Sequence, residues 1–163
     1  MAPTLEGAFD VLDPRVQKWA AEHTADAVTN IGDTTRDLIR SSIQRGIDEG
    51  LSTREIASSL REGTPFSRAR AETIARTEVG AAFNNANSLA AEQFQEQAEI
   101  TLVKQWRATN DSRTRDSHSK LNGQTRAMDE DFKPGLGFPH DPRAPAAEVV
   151  KCRCVIRYLE SSD

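Results

Sequence analysis

Apolar residues in the first two thirds of the chain recur every three to four positions, and each run is bounded by residues that start or stop helices. Asp13-Pro14 predicts a first helix start, with Asp capping free amides and Pro at the first helical position. Val16, Trp19, Ala20, His23, Ala27 and Ile31 continue it as a stripe that Gly32 ends. Asp33 then caps a second helix carrying Leu38, Ile39, Ile43 and Ile47, stopped by Gly50. Ser52-Thr53-Arg54-Glu55 reads as a capping box for a short helix with Ile56, Ala57 and Leu60 inward, closing at Gly63. Ser67 caps a long helix over residues 67–97, whose buried side is marked by Ala71, Ile74, Ala75, Val79, Ala82, Phe83, Ala86, Leu89, Ala90 and Phe94.

The period then changes. Residues 100–108 alternate with β-branched and aromatic side chains and predict a strand. Residues 109–120 are too dense in Asp and Arg for another strand, and 122–147 hold much Gly and Pro, predicting an ordered loop with little regular structure. Residues 152–159 predict a second strand paired with the one containing Trp106. The expected fold is α+β: a helical N-terminal arm over 1–66, then a core unit over 67–163 in which the long helix packs on a small β and loop module at 100–160.

Composition narrows the picture. The chain has 163 residues, 37% apolar and only 6% aromatic, so the core is small and much helix surface faces solvent or a partner. Although 28% of residues are charged, the net charge is −4, which argues against indiscriminate nucleic-acid binding by the whole chain. No apolar run of about 18 residues is present, so no membrane span is expected. The start lacks the basic and apolar regions of a signal peptide. Cys152 and Cys154 sit one residue apart, a spacing that strains a disulfide and suits a reducing compartment, with a metal or a shared core face as their use.

The chemistry-bearing residues concentrate in the last third. Cys152, Cys154 and His118, with His140 in addition, are zinc-type donors; the competing reading places the thiols in a small core and His118 beside a carboxylate. Asp111, Arg113, Arg115 and Asp116 form either an ion-pair network that fixes a loop or, with His118, a hydrolytic or phosphate-recognising set. Arg76 and Glu78 interrupt the Ala-rich helix face, as a solvated pair or as an Arg–carboxylate tie between helix and module. Trp106 and Phe138 are expected as core anchors and not as base-stacking platforms. A DNA-binding reading would use Arg113, Arg115, Arg126 and Arg143.

Five segments occur together in order: Ile74-Ala75-Arg76-Thr77-Glu78-Val79; Lys104-Gln105-Trp106-Arg107-Ala108-Thr109; Asp111-x-Arg113-x-Arg115-x-x-His118-x-x-Leu121-x-Gly123; Phe138-Pro139-x-Asp141-Pro142; and Cys152-Arg153-Cys154. Together they resemble the phage Mu F-like head-morphogenesis proteins over about residues 67–158. The resemblance implies a non-enzymatic minor capsid component of a tailed phage, located in the virion at the portal or inner capsid and in the host cytoplasm during assembly. It implies the portal or major capsid protein as partner, with packaged DNA as a further one, and leaves an oligomeric state in the particle open. Arg76, Glu78, Asp111, Arg113, Arg115, Asp116 and Asp141 are expected as structural ion-pair or motif residues. Some members carry a Cys-x-x-Cys pair ahead of a later His/Cys cluster, which implies zinc. Here Arg115 and His118 occupy the first pair, and Lys151 directly precedes Cys152. The alternatives to the head-protein reading are a metal-assisted hydrolase or nuclease and a module that binds packaged DNA.

Overall fold

A computed structural model describes residues 31–162, together with Lys18 and Val28. Most of the helix expected from Pro14 to a stop at Gly32 lies outside the described residues; Lys18 is helical, whereas Val28 and Ile31 are not. Three helices follow: α1 (Asp33–Asp48), α2 (Thr53–Gly63) and α3 (Arg68–Ala98). The start of α1 differs from expectation. Gly32 is its N-cap and makes no side-chain bond, while Asp33 lies in the first turn, where its charge meets the positive helix end. The capping box of α2 is present: Ser52 Oγ accepts from the Glu55 amide at 3.3 Å, and the Ser52 amide donates to Glu55 Oε2 at 2.8 Å.

Ser67 caps α3 through the Arg70 amide, and Glu99 ends it in a left-handed conformation at φ 53°. Its 31 residues make a rod of about 46 Å at a rise of about 1.5 Å per residue. The first part of α3 closes a core with α1 and α2 that contains Ile39, Ile43, Ile56, Ala57, Leu60, Ala71, Ile74 and Ala75. Gly46 permits this approach, since a Cβ there would stand 2.4 Å from Ile56 Cγ1.

Ala91, further along α3, belongs to a second core built around the sheet. Strands β1 (Leu102–Arg107), β2 (Thr125–Ala127) and β3 (Val155–Glu160) are antiparallel in the order β2-β1-β3. Leu102, Lys104 and Trp106 alternate onto the buried face of β1, and Trp106 pairs in register with Ile156. Trp106 is fully buried, edge-on to Phe132 at 5.3 Å between ring centroids. Lys104 reaches the Met128 carbonyl at 3.0 Å, and burial holds its amine below the ordinary lysine range.

Three departures from the expected β module stand out. The charged stretch contains a short helix, α4 (Asp116–Leu121), and the Gly/Pro-rich stretch contains β2 and α5 (Ala146–Val149). The final strand begins at Val155, so both cysteines lie on its lead-in. Phe138 is half-buried against the second core, as an anchor. None of the helices among the described residues is long and apolar enough to cross a membrane.

Candidate metal centre and the adjoining cleft

α5 ends in a turn at Val150, and Lys151 takes φ 56° before the chain extends through Cys152 and Cys154. That reversal sets both thiols against α4, where His118 is 1% exposed. His118 Nδ1 lies 3.5 Å from Cys152 Sγ and 3.5 Å from Cys154 Sγ. The three donor atoms lie within 4.8 Å of one another, and all three residues are buried. On the far side of the ring, Nε2 meets Glu148 Oε2 at 2.8 Å. The same carboxylate accepts from Lys133 Nζ at 2.7 Å and from Ser117 Oγ at 3.2 Å. The Lys133 bond first, and the His118 and Ser117 bonds after it, hold the Glu148 carboxyl below its usual range against burial. Trp106 stands edge-on to the imidazole at 5.1 Å.

Cys152 is the more acidic thiol of the pair. The bond from Cys154 draws it well below the ordinary thiol range, burial opposes this, and His118 adds to it. The reciprocal bond and burial push Cys154 up.

His140 stands apart from this trio. It is buried, adopts φ 64°, and its Nδ1 accepts from Asn84 Nδ2 at 3.2 Å. Burial first, then the His118 and Arg115 charges, lower its pKa against the Cys152 charge. Its Nε2 has no hydrogen-bond partner among the described residues. Gly80 of α3 leaves room for the ring.

The charged motif residues are structural ties. Asp111 receives Arg153 through two bonds, at 2.6 and 2.5 Å, and accepts the Arg113 amide at 2.9 Å. Arg153 first, and the Arg113 amide next, hold the Asp111 carboxyl far below the usual range. Arg115 donates to the Val150 carbonyl, fixing the turn before the cysteines. Asp116 is exposed in the first turn of α4. Asp141, buried at 1%, accepts the Gly137 amide at 2.8 Å and pairs with Arg143, which also binds Asp131 at 2.7 Å. Those bonds raise the Arg143 pKa further.

Of the hydrolytic set, His118 and the two thiols lie together, while Asp111 is held by arginine. The Asp111 oxygens engage Arg153 and Arg113, and the carboxylate beside His118 is Glu148. Of the four arginines of the DNA-binding reading, Arg113 and Arg115 line one cleft, whereas Arg143 is clamped by two aspartates and Arg126 lies over Phe132 at 5.8 Å.

Arg76 is exposed on α3 and Glu78 is buried. Several other residues of α3 bond to the module. The Lys151 amide donates to Thr77 Oγ1 at 3.1 Å, Asn84 Nδ2 reaches the Cys154 carbonyl at 3.4 Å, and Asn87 Nδ2 reaches the Ile156 carbonyl at 3.3 Å. The reading from sequence missed these residues and Glu148. Polar side chains recurring along an otherwise Ala-rich helix face were the available signal for Thr77, Asn84 and Asn87.

Beside the metal-type trio, α3 and the module enclose a cleft of about 890 Å³. Arg76, Arg113, Arg115, Lys151 and Arg153 line it, with Val79, Phe83 and Val155, and no carboxylate is among its described lining residues.

Comparisons with known proteins agree with the motif series. The chain is 30% identical over 158 residues to the uncharacterized protein YqbB of Bacillus subtilis, covering 93% of this chain and 50% of that protein. It is 32% identical over 124 residues to minor head protein GP7 of Bacillus phage SPP1, covering 74% of this chain and 40% of that protein. It is also 36% identical over 121 residues to the NAD(+)–arginine ADP-ribosyltransferase EFV of Enterococcus faecalis, covering 71% of this chain and 24% of that protein. The chain thus spans half or less of the length of each of these relatives. No solved structure matches it. Residues 37–157 match the family described as Phage Mu protein F like protein, and the chain belongs to that family.

Proposed function

We propose that this chain is a non-enzymatic minor head protein of a tailed phage or prophage, docking on portal or inner capsid subunits during head assembly. Its similarity to a phage minor head protein supports the setting. The cleft is the observation that carries docking: on a chain of net charge −4, five cationic side chains and several apolar ones share one concave surface. Such a surface gives a partner both an electrostatic approach and apolar area to bury. The pairing of Asp111 with Arg153, which occupies both of its oxygens, supports the non-enzymatic reading.

The test is assembly of heads with and without the portal, followed by quantification of the chain in purified particles. Recovery in portal-containing heads that falls at least tenfold in portal-free heads supports portal docking. Equal stoichiometry in both moves the contact to the capsid shell. Absence from both kinds of particle overturns the head-protein reading. Charge reversal at Arg76 and Lys151, both exposed, should lower recovery without unfolding the chain.

A further inference from the structure

We infer that His118 Nδ1, Cys152 Sγ and Cys154 Sγ hold one zinc-type divalent cation. Zinc bonds of about 2.1 Å to nitrogen and about 2.3 Å to sulfur, at a tetrahedral angle, place N and S about 3.6 Å apart. The two N···S separations here are both 3.5 Å. Hydrogen bonding alone explains the trio poorly. Nδ1 has a single lone pair, yet both sulfurs stand at the same distance from it.

The surroundings prepare the imidazole. Glu148 accepts the Nε2 proton at 2.8 Å, so the tautomer presents the Nδ1 lone pair to the thiols. Lys133 and Ser117 in turn fix that carboxylate. Binding takes both sulfurs as thiolates, releases to solvent any proton still on them, and forms one N–metal and two S–metal bonds; no redox step is involved. Cys152, Cys154 and His140 all line the cleft, so a fourth ligand has access from that side. The ion would tie α4 to the lead-in of β3, closing the loop between residues 118 and 152. Core packing around Trp106, Leu121 and Phe132 would then be reinforced by coordination. This inference does not rest on the docking reading.

The test uses the intact chain, purified under reducing conditions. Elemental analysis should find one zinc per chain. Cobalt(II) titration should give a thiolate-to-cobalt charge-transfer band and tetrahedral ligand-field bands that saturate at one equivalent. Chelator should raise the iodoacetamide reactivity of the thiols at least tenfold. Cys152→Ser and Cys154→Ser should each lower the charge-transfer intensity by about half or abolish binding. Glu148→Gln should weaken affinity roughly ten- to a hundredfold. A wild-type chain that shows no charge-transfer band, and whose thiols alkylate equally fast with and without chelator, overturns the inference even if the variants fail to fold.

Discussion

Replacing Gly80 by alanine sets two opposed effects against each other at the junction of α3 with the β module. Within a helix, alanine is favoured over glycine by about 1 kcal/mol. The added Cβ, however, would stand 2.6 Å from His140 Cε1 and 2.9 Å from Nε2. Retreat is difficult for this ring, which is buried, bonded to Asn84 and carried on a backbone at φ 64°. Overpacking of this kind costs about 1–3 kcal/mol, so the net effect should be destabilisation by about 1 kcal/mol. His140→Gly removes the ring and also suits the positive φ. In that background the same Gly80→Ala change should stabilise by about 1 kcal/mol, because only helix propensity remains. Urea unfolding of the four proteins measures both values, provided m is unchanged across the set. A Gly80→Ala protein more stable than wild type would refute the close approach of His140 to α3.

Three further outcomes follow from single side chains. Trp106→Ala should cost about 3–5 kcal/mol in chemical denaturation, since the fully buried ring supports both Phe132 and His118. Ser52→Ala should lower stability by about 1 kcal/mol through loss of the cap on α2, and a change below 0.3 kcal/mol would show that water replaces the cap at no cost. The folded-state pKa of Asp111 is depressed, so its contribution is complete above the unfolded value of about 3.9 and is lost as pH falls through the folded value. Melting curves from pH 6 to pH 2 should therefore fall less steeply for Asp111→Asn than for wild type, and parallel curves would contradict the Arg153 pairing.

The helices were legible in the sequence because each run of apolar spacing carries its own punctuation, as at Ser52, Glu55 and Ser67. The sheet was only partly legible. β1 announces itself through Leu102, Lys104 and Trp106 facing one way, but Thr125–Ala127 forms β2 through three residues whose side chains are mostly exposed. Backbone pairing with β1 defines that strand, and no side-chain pattern records it. The same limit hid α4, whose six residues, five of them polar, bury only His118 and Leu121. His118, Cys152 and Cys154 were recognisable as donors from their chemistry alone. Glu148 was not: it meets His118 from 30 positions along the chain, a distance no local spacing rule covers.

Because one uninterrupted helix serves both hydrophobic clusters, their angular phase is indexed by the number of residues between Ala75 and Ala91. One inserted residue in that interval would twist one end about 100° and slide it about 1.5 Å, while four would return it to within about 40°. The helix thus acts as a keyed shaft, tolerant of changes in side chain along its exposed side but not of changes in count.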